Sequence, residues 1–138
     1  KKTSVTGAMY GLYLHTIYDS APIIKWVLKQ IKQHKKAKVI VLDTIRTLGV
    51  YHIFKKKYNH RFKLVAVVAS PELRKKREIQ RGRFGQSITE KGFIMRDTEE
   101  LEIGVGSVMA LAEEYIDASQ SKAKMLAQME KVFSKVAA

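Results

Sequence analysis

Apolar residues follow two different patterns along this chain. Residues 38–43 (KVIVLD) and 64–69 (LVAVVA) form runs with almost no polar interruption. A strand buried on both faces between layers of helices has such a run, whereas a half-exposed strand alternates apolar and polar residues. The pattern therefore predicts two buried strands, at 38–43 and 62–69. The stretch EYIDAS, residues 114–119, predicts a short further strand.

Outside these predicted strands, apolar residues recur every three or four positions, which is the spacing of helices with one buried face. After the second run, Ser70 is a helix-capping residue and Pro71 suits the first helical position. The stretch SITE, residues 87–90, has the spacing of a capping box and predicts the start of another helix. The remaining predicted helices cover residues 7–19, 20–36, 49–58, 71–82, 98–114 and 121–136; the last has Leu126, Met129, Val132, Phe133 and Val136 facing inward.

Strands that alternate with helices predict an α/β fold in three layers, with a parallel sheet and helices on both faces. A length of 138 residues suits a single domain covering residues 1–138. The chain has no cysteine, and its first residues resemble neither a signal peptide nor a membrane span. We therefore expect a cytoplasmic protein without a membrane partner.

Positive charge is abundant and unevenly distributed, with a formal net charge of +13. Residues 1–71 contain 14 Lys and Arg against two Asp, and residues 72–97 contain eight against four acidic residues. Residues 98–138 reverse the balance, with four against seven. This asymmetry predicts a polyanionic partner: a phosphorylated small molecule, RNA or DNA. A solvated lysine-rich surface is the alternative, and it suits Lys25, Lys29, Lys32 and Lys36 at helical spacing.

Arginines form a stripe on the predicted helix after the second run. Arg74, Arg77 and Arg81 are spaced to share one side of that helix, and Arg83 follows it. The planar guanidinium group binds phosphate through paired hydrogen bonds, so the stripe is a candidate phosphate site. The alternative interpretation is a solvated helix face.

Asp43 lies at the tip of the first predicted strand, as in the Walker-B pattern, where a carboxylate holds Mg²⁺ or its water beside phosphates. Arg46 follows three residues later and would reach the same crevice. The alternative role for Asp43 is to cap the next helix.

Three stretches together, VLDTIRT, SPELRKKREIQRGR and MRDTEELEIGVGSVMALAEEYI, resemble an archaeal family of P-loop proteins related to dephospho-CoA kinases and adenylate kinases. The resemblance covers residues 7–117 and implies a nucleoside-monophosphate-kinase-like fold. It implies ATP-dependent phosphoryl transfer, assisted by Mg²⁺ at Asp43, to a nucleotide or CoA-precursor-like acceptor. The implied segments are acceptor-binding helices at 7–36, core strands at 38–71, an arginine-rich lid at 72–97 and C-terminal helices at 98–138. The implied nucleotide- or phosphate-binding residues are Asp43, Arg46, Arg77, Arg81, Arg83 and Arg96.

The chain also departs from this family. None of its eight glycines has the P-loop spacing, so the family's P-loop, first strand and first helix are missing from it. Thr44 replaces a glycine, FGQS replaces an acidic lid segment, and Ser107 replaces a glutamate. We therefore expect an incomplete kinase-like fold that is inactive alone, with the strands at 38–43 and 64–69 adjacent if the polypeptide is whole.

A non-catalytic, kinase-like protein that binds RNA, for example in the ribosome, is the alternative function. The candidate RNA-binding residues are Lys55, Lys56, Lys57 and Arg61. Tyr51, His52, Tyr58 and His60 are interleaved with them, and their rings would stack on exposed bases. The histidines lack the spacing of metal ligands, so they predict no metal site.

Overall fold

The computed structural model describes residues 21–34, 36–43, 45–81 and 88–137. The predicted helix at 7–19, Thr44, Arg83 and Ser87 of the predicted capping box fall outside these ranges. The described elements are, in chain order, α1 (Ala21–Gln33), α2 (Leu48–Tyr58), β1 (Val65–Val68), α3 (Pro71–Arg81), α4 (Glu90–Ile103), α5 (Val105–Met109), β2 (Glu114–Asp117) and α6 (Lys122–Ala137), with a 3-10 turn at Asn59–Arg61 after α2.

Strands β1 and β2 form a parallel pair, in which Val65 lies opposite Glu114 and Val68 lies opposite Asp117. Parallel strands need a long crossover, which here contains helices α3, α4 and α5. The third predicted strand is thus confirmed, as is a mixed helix and strand fold with parallel pairing. The described sheet has two strands.

The predicted strand at residues 38–43 is wrong for the described residues. Residues 39–43 have no ladder partner there, and the ladder of β1 is formed with β2 instead of this segment. The side chain of Leu42 packs against the core, whereas Val41 is 69% exposed. Apolar side chains favour an extended strand only where another strand lies at hydrogen-bonding distance, so this segment has strand-like composition without a sheet.

Strand β1 is buried on one face only, which corrects the prediction of burial on both. Ala66 is 6% exposed, and its neighbour Val67 is 57% exposed. Successive side chains of a strand point to opposite faces of the sheet. In the described part of the chain, packing therefore covers the Ala66 face and leaves the Val67 face open.

The core is an aromatic cluster around α2. Phe54, which is 2% exposed, has its ring 6.0 Å from Phe62 and 6.1 Å from Tyr58, measured between centroids. Helix α1 packs against this cluster through Val27, Leu28 and Ile31, as its apolar spacing predicted. The buried members of the cluster are Tyr51, Phe54, Phe62, Leu64 and Val108.

The capping residue predicted for the start of α3 is confirmed, whereas the predicted ends of α4 are revised. The Ser70 hydroxyl accepts a hydrogen bond from the amide of Leu73 (3.3 Å), as expected of a cap. Helix α4 is capped by Thr89, whose hydroxyl accepts from the amide of Gly92 at 3.1 Å. The single helix predicted at 98–114 is interrupted by Gly104, whose φ of 111° ends α4.

Helix α6 is less deeply buried than predicted. Of its five expected inward residues, Val132 is buried and Met129 is half-buried. Leu126, Phe133 and Val136 are exposed in the described part of the chain. Helical spacing predicts which residues share a face, but the breadth of the covering surface decides how many are buried.

Candidate functional site

Helices α3 and α4 border an open cavity of about 310 Å³, and all but one of the residues that line it are charged. Helix α3 has no buried residue, and α4 contributes one buried ring, Phe93, to the wall. The lining residues are Arg74, Arg77 and Glu78 from α3, and Phe93, Arg96, Asp97 and Glu100 from α4.

Arg74 joins three elements at this cavity. Its guanidinium group donates hydrogen bonds to both carboxylate oxygens of Asp97, with Nη2 3.0 Å from Oδ2. Its Nε donates to the carbonyl oxygen of Ala69 (3.3 Å), immediately after β1, and its Cζ lies 5.7 Å from the Phe93 ring centroid. The hydrogen bond to Asp97 raises the pKa of Arg74 above its ordinary value, although desolvation opposes the shift. Arg74 therefore has a structural role.

Two further arginines, one of which lines the cavity, pair with cavity carboxylates. Nη1 of Arg96 lies 2.6 Å from Oε1 of Glu78. Nη1 of Arg46 lies 3.2 Å from Oε1 of Glu100, which is itself a cavity residue. The pair Arg46 and Glu100 therefore connects the segment after residue 43 to the arginine-lined cavity. This links Arg46 to α4, the helix that carries Arg96, although the two arginines lie 50 residues apart in sequence.

The predicted arginine stripe divides into different environments. Arg77 is exposed, lines the cavity and forms no ion pair within the described residues. Arg81 is exposed one turn further along α3 and is absent from the cavity lining. Arg83 lies outside the described residues. Because Asp97, Glu78 and Glu100 each pair with another arginine, Arg77 contributes a positive charge that the described part leaves uncompensated.

Asp43 lies in a second concave surface, an apolar groove of about 530 Å³. Helix α1 forms one wall of this groove, and residues 40–43, 45 and 46 form the other. Asp43 is exposed and is the only carboxylate among the lining residues, which also include Arg46. Within the described ranges, no group of three or more His, Cys, Asp or Glu residues is arranged to hold a metal ion. A role for Asp43 with Mg²⁺ thus stays a prediction.

Sequence reasoning missed the carboxylates that pair with the arginines. Asp97 lies 23 residues from Arg74, and Glu78 lies 18 residues from Arg96. These separations exceed the three- or four-residue spacing that brings side chains together on one helix. The sequence contains only a general sign of these pairs. Acidic residues of α4 follow an arginine-rich helix, so the two helices have complementary charge.

The candidate RNA-binding residues lie at the end of α2. Lys55 and Lys63 both pair with Glu113, at 2.5 and 2.7 Å from Nζ to the carboxylate oxygens. The other three cations, Lys56, Lys57 and Arg61, are exposed and form no ion pair within the described residues.

The aromatic residues beside these cations differ in exposure. Tyr51 is buried, with its ring centroid 5.9 Å from that of Phe62, and Tyr58 is half-buried against Phe54. The predicted stacking role is therefore wrong for Tyr51, whose ring belongs to the core. His52 and His60 are exposed.

No helix in the described ranges has the length and apolar character needed to cross a membrane.

Comparison with known proteins identifies archaeal relatives named UPF0200 protein. The chain is 33% identical to the one from Sulfurisphaera tokodaii over 100 residues, which are 72% of this chain and 54% of that protein. It is 37% identical to that of Staphylothermus marinus over 97 residues, 70% of this chain and 49% of that protein. For Methanococcus vannielii the identity is 28% over 128 residues, 91% of this chain and 68% of that protein.

The chain spans about half the length of the first two of these relatives. No protein-family model matches it.

Proposed function

We propose that this chain is the phosphate-binding, lid-like part of a nucleotide-kinase-like protein, related to ATP-dependent phosphoryl transfer to a nucleotide or CoA-precursor-like acceptor. The observation that carries the proposal is Arg77, which lines the cavity between α3 and α4 without a carboxylate partner in the described residues. A phosphate group in this cavity would supply the missing negative charge. Arginine binds phosphate through two parallel N–H donors, which adds geometric selectivity to charge attraction.

The neighbouring ion pairs support the same role. Arg74 and Arg96 are held by Asp97 and Glu78, so their side chains line the cavity before a ligand arrives. Side chains that are already positioned lose less conformational entropy when the ligand binds. The cavity thus combines arginines held by carboxylates with one arginine, Arg77, that has no carboxylate partner among the described residues.

Phosphoryl transfer needs little covalent chemistry from the protein, because positioning and charge neutralisation lower most of the barrier. In the proposed fold, Arg46 and Asp43 lie on the nucleotide side, and Arg77, Arg81, Arg83 and Arg96 lie on the lid side. ATP would be the phosphoryl donor and Mg²⁺, held near Asp43, would neutralise phosphate charge. The pair Arg46 and Glu100, 3.2 Å apart, gives these two sides a direct connection.

The proposed complete fold is a three-layer one with more strands than the described pair. Residues 39–42 are apolar and have no ladder partner in the described part, which supports an additional strand, and the open Val67 face of β1 supports a further covering layer. A strand beside β1 and residues 39–43 would satisfy backbone groups along both. The first two relatives are about twice as long as the region that matches this chain, so they have further chain of their own.

Calorimetric titration with ATP, ADP and tripolyphosphate tests the phosphate site. We expect Arg77→Gln to weaken binding by about tenfold or more, as for loss of a charge-assisted hydrogen bond. Lys76→Gln is the matched control, because Lys76 is an exposed neighbour on the same helix and is not among the cavity-lining residues. Equal losses of affinity in the two variants would show that binding depends on net charge alone, which would contradict the proposal.

Turnover is a separate test of what this chain does alone. We expect negligible ATP hydrolysis or phosphoryl transfer, because the P-loop lysine and amides that stabilise the transferred phosphate have no counterpart in its sequence. Steady-state assays with ATP and Mg²⁺ measure this. Activity that persisted through purification and disappeared in Asp43→Ala would show that the chain is an active enzyme.

A further inference from the structure

Cations are concentrated where α2 ends. Lys55, Lys56 and Lys57 occupy the last turn of the helix, and Arg61 lies in the 3-10 turn that follows. Cations near a helix C-terminus have a structural reason, because they interact favourably with the negative end of the helix dipole. That interaction contributes only about 0.3–1 kcal/mol per cation, and neighbouring cations repel one another. The dipole alone therefore gives little reason for so many.

The structure separates the structural cations of this region from the surplus ones. Glu113, which directly precedes β2, binds Lys55 and Lys63 with its two carboxylate oxygens. These two hydrogen bonds lower the pKa of Glu113, so its negative charge is maintained. Lys56, Lys57 and Arg61 have no such partner in the described residues and are exposed to solvent.

The surroundings of the surplus cations include two exposed imidazole rings. His52 lies four residues before Lys56, so the two share one side of α2. His60 lies in the 3-10 turn beside Arg61, and both are exposed. Imidazole rings and guanidinium planes provide surfaces on which unpaired bases stack.

We propose that Lys56, Lys57 and Arg61, with His52 and His60 beside them, form a binding surface for single-stranded RNA. The three cations contact the phosphate backbone, and the two rings stack on unpaired bases. RNA is favoured because its loops and ends present unpaired bases, whereas duplex DNA keeps its bases paired. This surface is separate from the cavity between α3 and α4, shares none of its lining residues and does not depend on phosphate binding there.

An anionic membrane is a poorer match to this surface. Membrane-surface helices combine a basic face with a broad apolar face that enters the lipid. Tyr51 and Phe54 of α2 are buried in the core. Leu48 and Ile53 are exposed, but their five-residue separation does not place them on one helix face, so they form no broad apolar surface. The test therefore uses vesicles as a competing ligand.

The experiment measures binding of the full chain to a single-stranded polyuridylate of about 16 nucleotides, between about 50 and 200 mM salt. The variant is Lys56→Gln, Lys57→Gln, Arg61→Gln, because glutamine removes charge without placing an anion at the helix end. The control is Lys122→Gln, Lys124→Gln, Lys131→Gln on α6, whose three lysines are exposed and have no ion pair in the described part. Both variants lose three positive charges.

We expect the first variant to bind about tenfold more weakly or worse at low salt. Its slope of log affinity against log salt should fall by about 2, since each phosphate contact to a single strand contributes about 0.7. The control should keep the wild-type slope. Equal losses in both variants, absence of wild-type RNA binding, equal binding of duplex DNA, or binding to phosphatidylserine vesicles in place of RNA would each overturn the proposal.

A milder variant keeps the test independent of folding. Arg61→Gln alone lies outside α2 and removes one contact, so the slope should fall by about 0.7 while the thermal midpoint stays that of the wild type. An unchanged slope in this folded variant would show that Arg61 does not contact the RNA backbone, and it would contradict the proposed three-cation site.

Discussion

Helices α2 and α3 have the same length, eleven residues each, but they are held in place by different forces. Helix α2 inserts Tyr51 and Phe54 into the aromatic cluster. Helix α3 has no buried residue and is attached to its neighbour α4 through ion pairs. Those pairs are Arg74 with Asp97, Lys75 with Glu90, and Arg96 with Glu78.

This difference has consequences for both proposed surfaces. Burial of apolar area depends little on salt, so the cations at the end of α2 project from a firmly packed helix. Exposed ion pairs are weak and are screened by salt, so α3 and α4 are expected to separate more easily. A phosphate ligand would bind the arginines of α3 and α4 and strengthen that contact, because a ligand that binds only the native state stabilises it.

The largest expected effect comes from the core beneath α2. Phe54→Ala should lower the free energy of unfolding by about 3–5 kcal/mol, because it removes a fully buried ring. Urea denaturation followed by far-ultraviolet circular dichroism measures the change. Phe133→Ala, at an exposed position of α6, is the control and should have a much smaller effect. Similar losses in both variants would contradict the assignment of the core.

Gly104 is expected to give the next largest effect, since it ends α4 beside the connection to Arg46. Its φ is 111°, and a methyl group there would lie 3.7 Å from the carbonyl oxygen of Arg46. Gly104→Ala should cost about 1–3 kcal/mol through backbone strain. Gly106→Ala is the matched control: its φ is not in the left-handed region, and the nearest contact, 3.5 Å to Leu101, is ordinary. Thermal denaturation should show a loss for the first variant only.

Asp97→Asn tests the ionic attachment of α3. The expected loss is about 1 kcal/mol or less, because the Arg74 side chain is 41% exposed and solvent screens the pair. Relative to the wild type, the variant should show faster amide hydrogen exchange in α3 and little change in α2. Added salt should reduce this difference between variant and wild type. Glu99→Gln, on α4 and without an ion pair in the described residues, should leave exchange in α3 unchanged. Unchanged exchange in Asp97→Asn would show that α3 is held by other contacts.

The smallest expected effect is the pH dependence of the stability that Glu113 contributes through its pairs with Lys55 and Lys63. Hydrogen bonds from Lys55 and then Lys63 lower the pKa of Glu113 from its ordinary 4.5. A lowered carboxyl pKa contributes stability that is fully present above pH 4.5 and is lost as the pH falls through the folded-state value. Glu113→Gln lacks this contribution, so wild type and variant should differ at neutral pH and converge in acid. A constant difference across that range would contradict the assignment.

Much of the local structure was predictable because it depends on neighbours in sequence. The residue types at Ser70 and Pro71 predicted the start of α3. The apolar spacing of α1 predicted that Val27, Leu28 and Ile31 face the core. Asp43, Arg46, Arg77 and Arg96 were also selected from sequence, and each lines one of the two concave surfaces. Their function stays a prediction, because the structure gives their positions without a ligand.

The predictions that failed concern relations between distant residues. Residues 38–43 have the composition of a buried strand, yet a strand exists only where a second one offers backbone hydrogen bonds. Tyr51 resembled a stacking residue beside lysines, but the fold of α2 directs its ring toward Phe62.

What the sequence by itself determined is the start of α3, the apolar face of α1 and the uneven charge, since these depend on residues a few positions apart or on composition alone. What only the tertiary structure decided is which charges are neutralised. Arg74 meets Asp97 across 23 residues, and Lys55 meets Glu113 across 58, so Arg77 and the end of α2 are left with uncompensated charge in the described part. The physical reason is that Coulomb attraction depends on separation in space, which chain folding sets independently of separation in sequence.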